Sequence, residues 1–102
     1  MRIFAWNEVK SRVLKMTRGI SFDDILTKIE KQGYFESIRH SNPNRYPNQK
    51  IMLVKLKRYI YLVPYVRTGG RYFLKTVFPS RKLTKIYQNL KEEGYEKVKI
   101  FL

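Results

Sequence analysis

The chain has 102 residues, 43% of them hydrophobic, which is enough for one folded domain over 1–102 and too little for a second core. It has no cysteine, which excludes a disulfide framework and a thiolate metal site. Twenty-two Lys and Arg against eight Asp and Glu give a formal charge of +14, an excess that self-repels in a folded chain and calls for an anionic partner.

The opening MRIFAWNEVKSR meets charge at Glu8 before any long apolar run, so it does not read as a signal peptide. No stretch approaches the roughly 20 apolar residues that span a bilayer, and the expectation is a cytoplasmic protein without membrane contact. Charge placement says more than charge total. The acids are Glu8, Asp23, Asp24, Glu30, Glu36, Glu92, Glu93 and Glu96, so the interval between Glu36 and Glu92 holds none while it is rich in Lys and Arg. A solvated basic surface would look the same, but the pattern fits a polyanion, RNA above all.

In chain order, residues 7–17 predict a helix with Asn7 as N-cap, Val9, Val13 and Met16 along one face, and Gly19 as its stop. A second helix starts at Ser21, with Asp24 completing a capping box and Ile20 stapled on Ile25. Phe22, Ile25, Leu26 and Ile29 form its apolar stripe, and Gly33 ends it. Asp23 and Asp24 suit the positive end of that helix and do not read as a metal pair.

From Tyr34 onward, aromatic and β-branched residues predict strands near 34–39, 49–57, 59–67 and 71–78. His40–Asn48 is a polar loop and Gly69-Gly70 a hairpin turn, whereas the turn at Lys57-Arg58 lacks glycine. Pro64 should mark an edge or a bulge. Pro79 closes the last of these strands, and Ser80 caps a third helix through about Glu93, with Leu83, Ile86, Tyr87 and Leu90 on its apolar face. Residues 95–102 alternate like a short final strand. The expected fold class is therefore α+β: two N-terminal helices, an antiparallel four-stranded sheet, a C-terminal helix and a short terminal strand.

Alternation assigns side chains to faces. One self-consistent assignment buries Met52, Val54, Leu56, Ile60, Leu62, Val66, Leu74 and Phe78 under the helices. The opposite face then carries Lys55, Lys57, Tyr59, Tyr61, Tyr65, Arg71, Phe73 and Lys75. Cations interleaved with rings supply charge for phosphates and flat surfaces for bases, which single-stranded RNA requires. Tyrosine also favours strands for its own packing reasons, so no single ring decides the matter.

One histidine and no cysteine cannot build a His-rich zinc site, and the carboxylates are too scattered for a two-metal nuclease centre. GxGxxG, GxxxxGK[ST] and GxSxG are absent, and no cofactor is expected. Any catalysis falls to Lys, Arg, Tyr, Ser or His40. RNA cleavage can use that set because the 2′-hydroxyl of RNA is its own nucleophile; the protein orients the strand, stabilises the dianionic transition state and moves protons. His40 is a general-base candidate by type, though it sits in the Pro/Asn loop.

Two segments resemble a known family. FAWNEVK (Phe4–Lys10) with RGISFDDIL (Arg18–Leu26) is similar to the F-x-W-[DN]-E-x-K…[HR]-G-[IV]-S-F-[DE]-[DE] opening of BrnT-type toxins, and FLKTVFPSRKLT (Phe73–Thr84) is similar to their strand-then-S-x-R-[RK]-x-T junction. The sequence departs from the pattern at Pro79 and Ser80 and in its extra strand after Gly94. The resemblance implies a RelE-like ribonuclease fold, a toxin that arrests growth by cutting mRNA, and neutralisation by an acidic-patched, DNA-binding cognate antitoxin. Ribosome association would belong to the same picture. It also implies transition-state stabilisation by Arg81, with Lys75 and Arg67 as further candidates and Tyr87 as a residue near the C-terminus that serves equally well in a core. Lys82 and Lys85 join the expected RNA-binding set. The alternative is a non-catalytic RNA- or DNA-binding module; a third reading is an interaction protein whose basic surface meets an acidic partner.

Overall fold

In the computed structural model, residues 3–39, 42, 44–86 and 96–99 are described. The elements run β1 (Ile3–Ala5), α1 (Glu8–Arg18), α2 (Phe22–Gln32), β2 (Tyr34–Arg39), β3 (Gln49–Leu56), β4 (Tyr59–Thr68), β5 (Arg71–Leu74), β6 (Phe78–Ser80), α3 (Arg81–Ile86) and β7 (Glu96–Lys99). The strands form one sheet in the order β1-β5-β4-β3-β2-β7, with β6 pairing with β4 further along the edge that β5 also uses.

This corrects the expected fold. The sheet is mixed and larger than four antiparallel strands, because β1 pairs with β5 in parallel, Ile3 opposite Arg71 and Ala5 opposite Phe73. The other edge is extended by β7, which lies antiparallel to β2 with Val98 opposite Phe35. Among the described residues, the expected C-terminal helix is present only as the six residues Arg81–Ile86, and Tyr87 and Leu90, expected on its apolar face, lie outside the described residues. Among the described residues no helix is long and apolar enough to cross a membrane.

The helix boundaries follow from their caps. Asn7 accepts from the Lys10 amide at 3.0 Å, and Ser21 and Asp24 make the reciprocal capping box. Ile20 and Ile25 are both buried, as a hydrophobic staple requires. Each helix ends on a left-handed glycine, Gly19 at φ 73° and Gly33 at φ 81°, where a side chain would meet the αL penalty.

The buried face of α1 differs from expectation. Val9, Val13 and Met16 are 61%, 49% and 86% exposed, while Ser11 and Leu14 are buried. The reason is local: the Ser11 hydroxyl accepts from the Phe22 amide at 3.1 Å, satisfying one of the free N–H groups that open α2. That bond rotates α1 so that Leu14, not the valines, meets the core.

Pro64 sits inside β4, opposite Ile51 of β3, which is not an edge position. Its carbonyl accepts from the Lys75 amide at 2.8 Å on the β5 side, the side to which its missing N–H would also point. There the neighbouring strand breaks: β5 ends at Leu74, opposite Tyr65, and β6 resumes at Phe78, opposite Leu62. The interruption falls where proline has no donor to offer. Arg18 spans the gap from α1, its guanidinium donating to the Val77 carbonyl.

Candidate nucleic-acid interface

Register settles which residues share a face. Pairing of Val54 with Tyr61, Met52 with Val63 and Leu74 with Tyr65 puts all six on one face. They pack there with Leu14, Phe22, Ile25 and Ile29 of the two helices. The second face carries Ile51, Leu53, Ile60 and Leu62 as a smaller buried cluster, with Ile38 and Phe78 at its margin.

The tyrosines expected on an open surface are therefore in the core. Tyr65 is 1% exposed and Tyr61 9%, and Tyr59 packs edge-on to Tyr61 at the margin of the same cluster. Alternation groups Tyr59, Tyr61 and Tyr65 correctly with one another but on the wrong side of the sheet. The cause is register: the two-residue turn at Lys57-Arg58 sets Tyr59 opposite Leu56, so the tyrosines share the helix side with Met52, Val54 and Leu56. Tyr65 and Ser37 hydrogen-bond at 2.6 Å inside the core, so the polar tip costs little to bury. Ile60, Leu62 and Phe78, expected under α1 and α2, lie on the opposite face instead.

The remaining candidates fall into separate places. Arg71 and Phe73 of β5 share the second face with Val66 and Thr68, and Lys75 follows just past the strand end. Phe73 is 39% exposed, and the Lys75 ammonium lies 5.4 Å from the centre of its ring. Lys55, opposite Ile60, is exposed on the same face. Arg81 and Lys82 are exposed at the start of α3, directly after Ser80, which pairs with Ile60 from the other side of β4. The α3 backbone is fixed there by Thr84, whose hydroxyl accepts from the Ile60 amide at 2.9 Å and donates to the Ser80 carbonyl at 2.6 Å.

Two cationic groups result. Phe73 is level with Val66 and Lys55 with Ile60, so they stand about 20 Å apart along β4 at ~3.3 Å per residue. Between them lies the apolar row of Leu53 and Leu62. Glu36 belongs to this face as well, opposite Leu53; its Oε2 is buried without a hydrogen-bond partner among the described residues. In the sequence, Glu36 stands out only as the start of the acid-free interval.

Other expected members stand elsewhere. Arg67 pairs with Tyr72 on the helix-covered face, its Nε donating to the Gly69 carbonyl at 2.9 Å and its guanidinium 5.7 Å from the Tyr72 ring. Lys57 occupies the β3–β4 turn. His40 and Tyr87 lie outside the described residues, as does the side chain of Lys85.

No family model matches this chain, and no curated protein or solved structure matches it either.

Proposed function

We propose that this protein binds single-stranded RNA across the Arg71–Lys75 end of the sheet and cleaves it as a growth-arresting toxin endoribonuclease. The observation that carries the reading is Phe73, a large ring held 39% exposed on a strand between two exposed cations, Arg71 and Lys75. A base stacks on such a ring while the flanking cations take the adjoining phosphates. The Lys75 ammonium, across the ring in the free protein, moves to a phosphate when a base takes its place. Lys55, Arg81 and Lys82 extend the cationic track toward the other end of β4, so a strand laid along β4 meets both groups.

Cleavage requires the 2′-hydroxyl to attack the adjacent phosphorus in line, with the developing dianion held by cations. Arg81 supplies a planar, permanently charged fork for that purpose at the strand–helix junction. The resemblance of Phe4–Lys10, Arg18–Leu26 and Phe73–Thr84 to BrnT-type toxins supports the toxin reading and its partner, a cognate antitoxin encoded alongside. The exposed stripe of Val9, Val13 and Met16, bordered by Arg12, suits an apolar partner segment with an acidic rim.

The burial of Tyr61 and Tyr65 favours a second reading, because it removes two proton-transfer candidates from the sheet surface and leaves lysine and arginine there. In that reading the protein is an RNA- or DNA-binding module that grips without cutting. Incubating the purified chain with a defined RNA in the presence of a chelator, then mapping the ends, separates the two. Discrete products ending in 2′,3′-cyclic phosphate support the endoribonuclease; intact RNA that is retained in a salt-dependent manner overturns it in favour of the module.

A further inference from the structure

On the helix-covered side of the sheet a cavity of about 430 Å³ opens between α2 and the β3–β4 turn. Four lysines line it: Lys15 from α1, Lys28 and Lys31 one turn apart on α2, and Lys57 from the turn itself. Tyr61 and Leu56 line it from the sheet, and Ile20 adds an apolar wall. Asp24 lines the cavity as well, and its carboxylate takes the Lys15 ammonium at 2.9 Å. No carboxylate among the described residues stands within ion-pair distance of Lys28, Lys31 or Lys57. Three lysines without a carboxylate partner thus line one concave surface, a charge arrangement that an anion complements.

Ordinary structural reasons account for part of this. Lys31 sits in the last turn of α2, where the helix dipole favours a cation. That account does not reach Lys57. Its φ is +59°, the one positive value at a non-glycine position among the described residues, in a two-residue turn where glycine would avoid the steric penalty. A lysine kept in a costly backbone conformation at the rim of a lysine-lined cavity is an independent sign that the side chain is used there.

The size and walls narrow the ligand. A volume near 430 Å³ is that of a small-molecule site, and an aromatic and aliphatic floor under a cationic rim matches a flat apolar body carrying phosphate. We infer that this cavity binds a nucleoside diphosphate, its phosphates held by Lys28, Lys31 and Lys57 and its base lying against Leu56 and the exposed edge of Tyr61. The site is on the opposite face from Phe73 and does not depend on RNA cleavage.

The test is calorimetric titration of the full chain, at physiological salt, with a nucleoside diphosphate, inorganic phosphate and the free nucleoside. Expected is one saturable diphosphate site per chain, at least tenfold tighter than either phosphate or nucleoside. The Lys28→Ala/Lys31→Ala double variant and Lys57→Gly should each weaken it tenfold or more, while Lys10→Ala, a cation removed elsewhere on the surface, changes it less than twofold. Lys57→Gly guards against misfolding as an explanation, since glycine suits φ +59°. Diphosphate affinity unchanged in those variants, or equal loss with Lys10→Ala, overturns the site. Phosphate binding as tightly as the diphosphate, or an acidic peptide displacing it at equal concentration, overturns the ligand assignment. Undiminished RNA retention by the Lys28→Ala/Lys31→Ala variant is expected and keeps this result separate from the fate of the ribonuclease reading.

Discussion

The hydroxyl of Tyr65 and the hydroxyl of Ser37 meet at 2.6 Å in the interior, joining the central β4 strand to β2 across β3. Ser37 is fully buried, so each oxygen depends on the protein for its hydrogen bonding. Tyr65→Phe removes one and strands the other. The expected cost is about 1–2 kcal/mol, read as a lower urea midpoint at unchanged slope. RNA retention should be untouched, because Tyr65 is 1% exposed; a variant of full stability with weakened RNA binding would mean the ring faces the ligand.

Arg71 and Lys75 carry the electrostatic part of the proposed interface. Replacing each with Ala should lower the slope of log binding constant against log salt by roughly 0.7 for every phosphate left without its cation, as for a single-stranded ligand. Both side chains are exposed, so the denaturation midpoint should move within about 0.5 kcal/mol equivalent. An unchanged salt slope in the double variant removes this end of the sheet from the interface.

Arg81 stands at the start of α3, exposed and clear of the core. Under the proposed endoribonuclease function, Arg81→Ala should reduce the rate of RNA cleavage about 100-fold, the scale of losing one transition-state donor, and relieve growth arrest on induction with folding intact. Full toxicity in that variant means the cleavage centre is elsewhere.

Asp24 makes stability depend on pH. Burial pushes its carboxyl up, but the hydrogen bond from Lys15, hydrogen bonding with Ser21 and the Lys15 charge outweigh it and hold the group below its ordinary 3.8. A carboxyl whose folded pKa is depressed stabilises the fold above the unfolded pKa and loses that contribution as pH falls through the folded value. The gap in stability between wild type and Asp24→Asn should therefore be full at neutral pH and close below about 3.8, followed by chemical denaturation across the acid range. A gap that stays constant into acid would show that the capping geometry, not the charge, is what matters.

Lys57→Gly should raise stability by about 1 kcal/mol, since a left-handed lysine costs more than the extra backbone freedom of glycine in the unfolded chain. A loss of stability would show that the Lys57 stem contributes packing that outweighs its backbone strain.

Local signals in the sequence are reliable guides where the physics is local. The Ser21–Asp24 box, the Ile20–Ile25 staple and the stops at Gly19 and Gly33 involve neighbours a few residues apart, and the structure has them there. Face assignment is a different matter. Alternation groups Tyr61 with Tyr65, but which β3 residues they accompany depends on strand register, which the two-residue turn sets by placing Tyr59 opposite Leu56. Val9, Val13 and Met16 mislead for a related reason: helical spacing favours them, yet the bond from the Phe22 amide to Ser11 turns α1 the other way. The three-residue β1 has no pattern long enough to read, because its pairing is set by β5. The cavity lysines are legible only in part, since Lys28 and Lys31 share a helix face, but Lys57 joins them only through the fold.

The parallel pairing of β1 with β5 also constrains biogenesis. Ile3 finds its partner only at Arg71, so the first strand made waits for one of the last. A nascent chain that has released α1 and α2 but not yet β4 and β5 carries Phe22, Ile25 and Ile29 without the sheet that buries them. Closure is thus a late, long-range event, and a chain truncated before residue 71 is expected to be a substrate for chaperones or proteases, with no native edge to close.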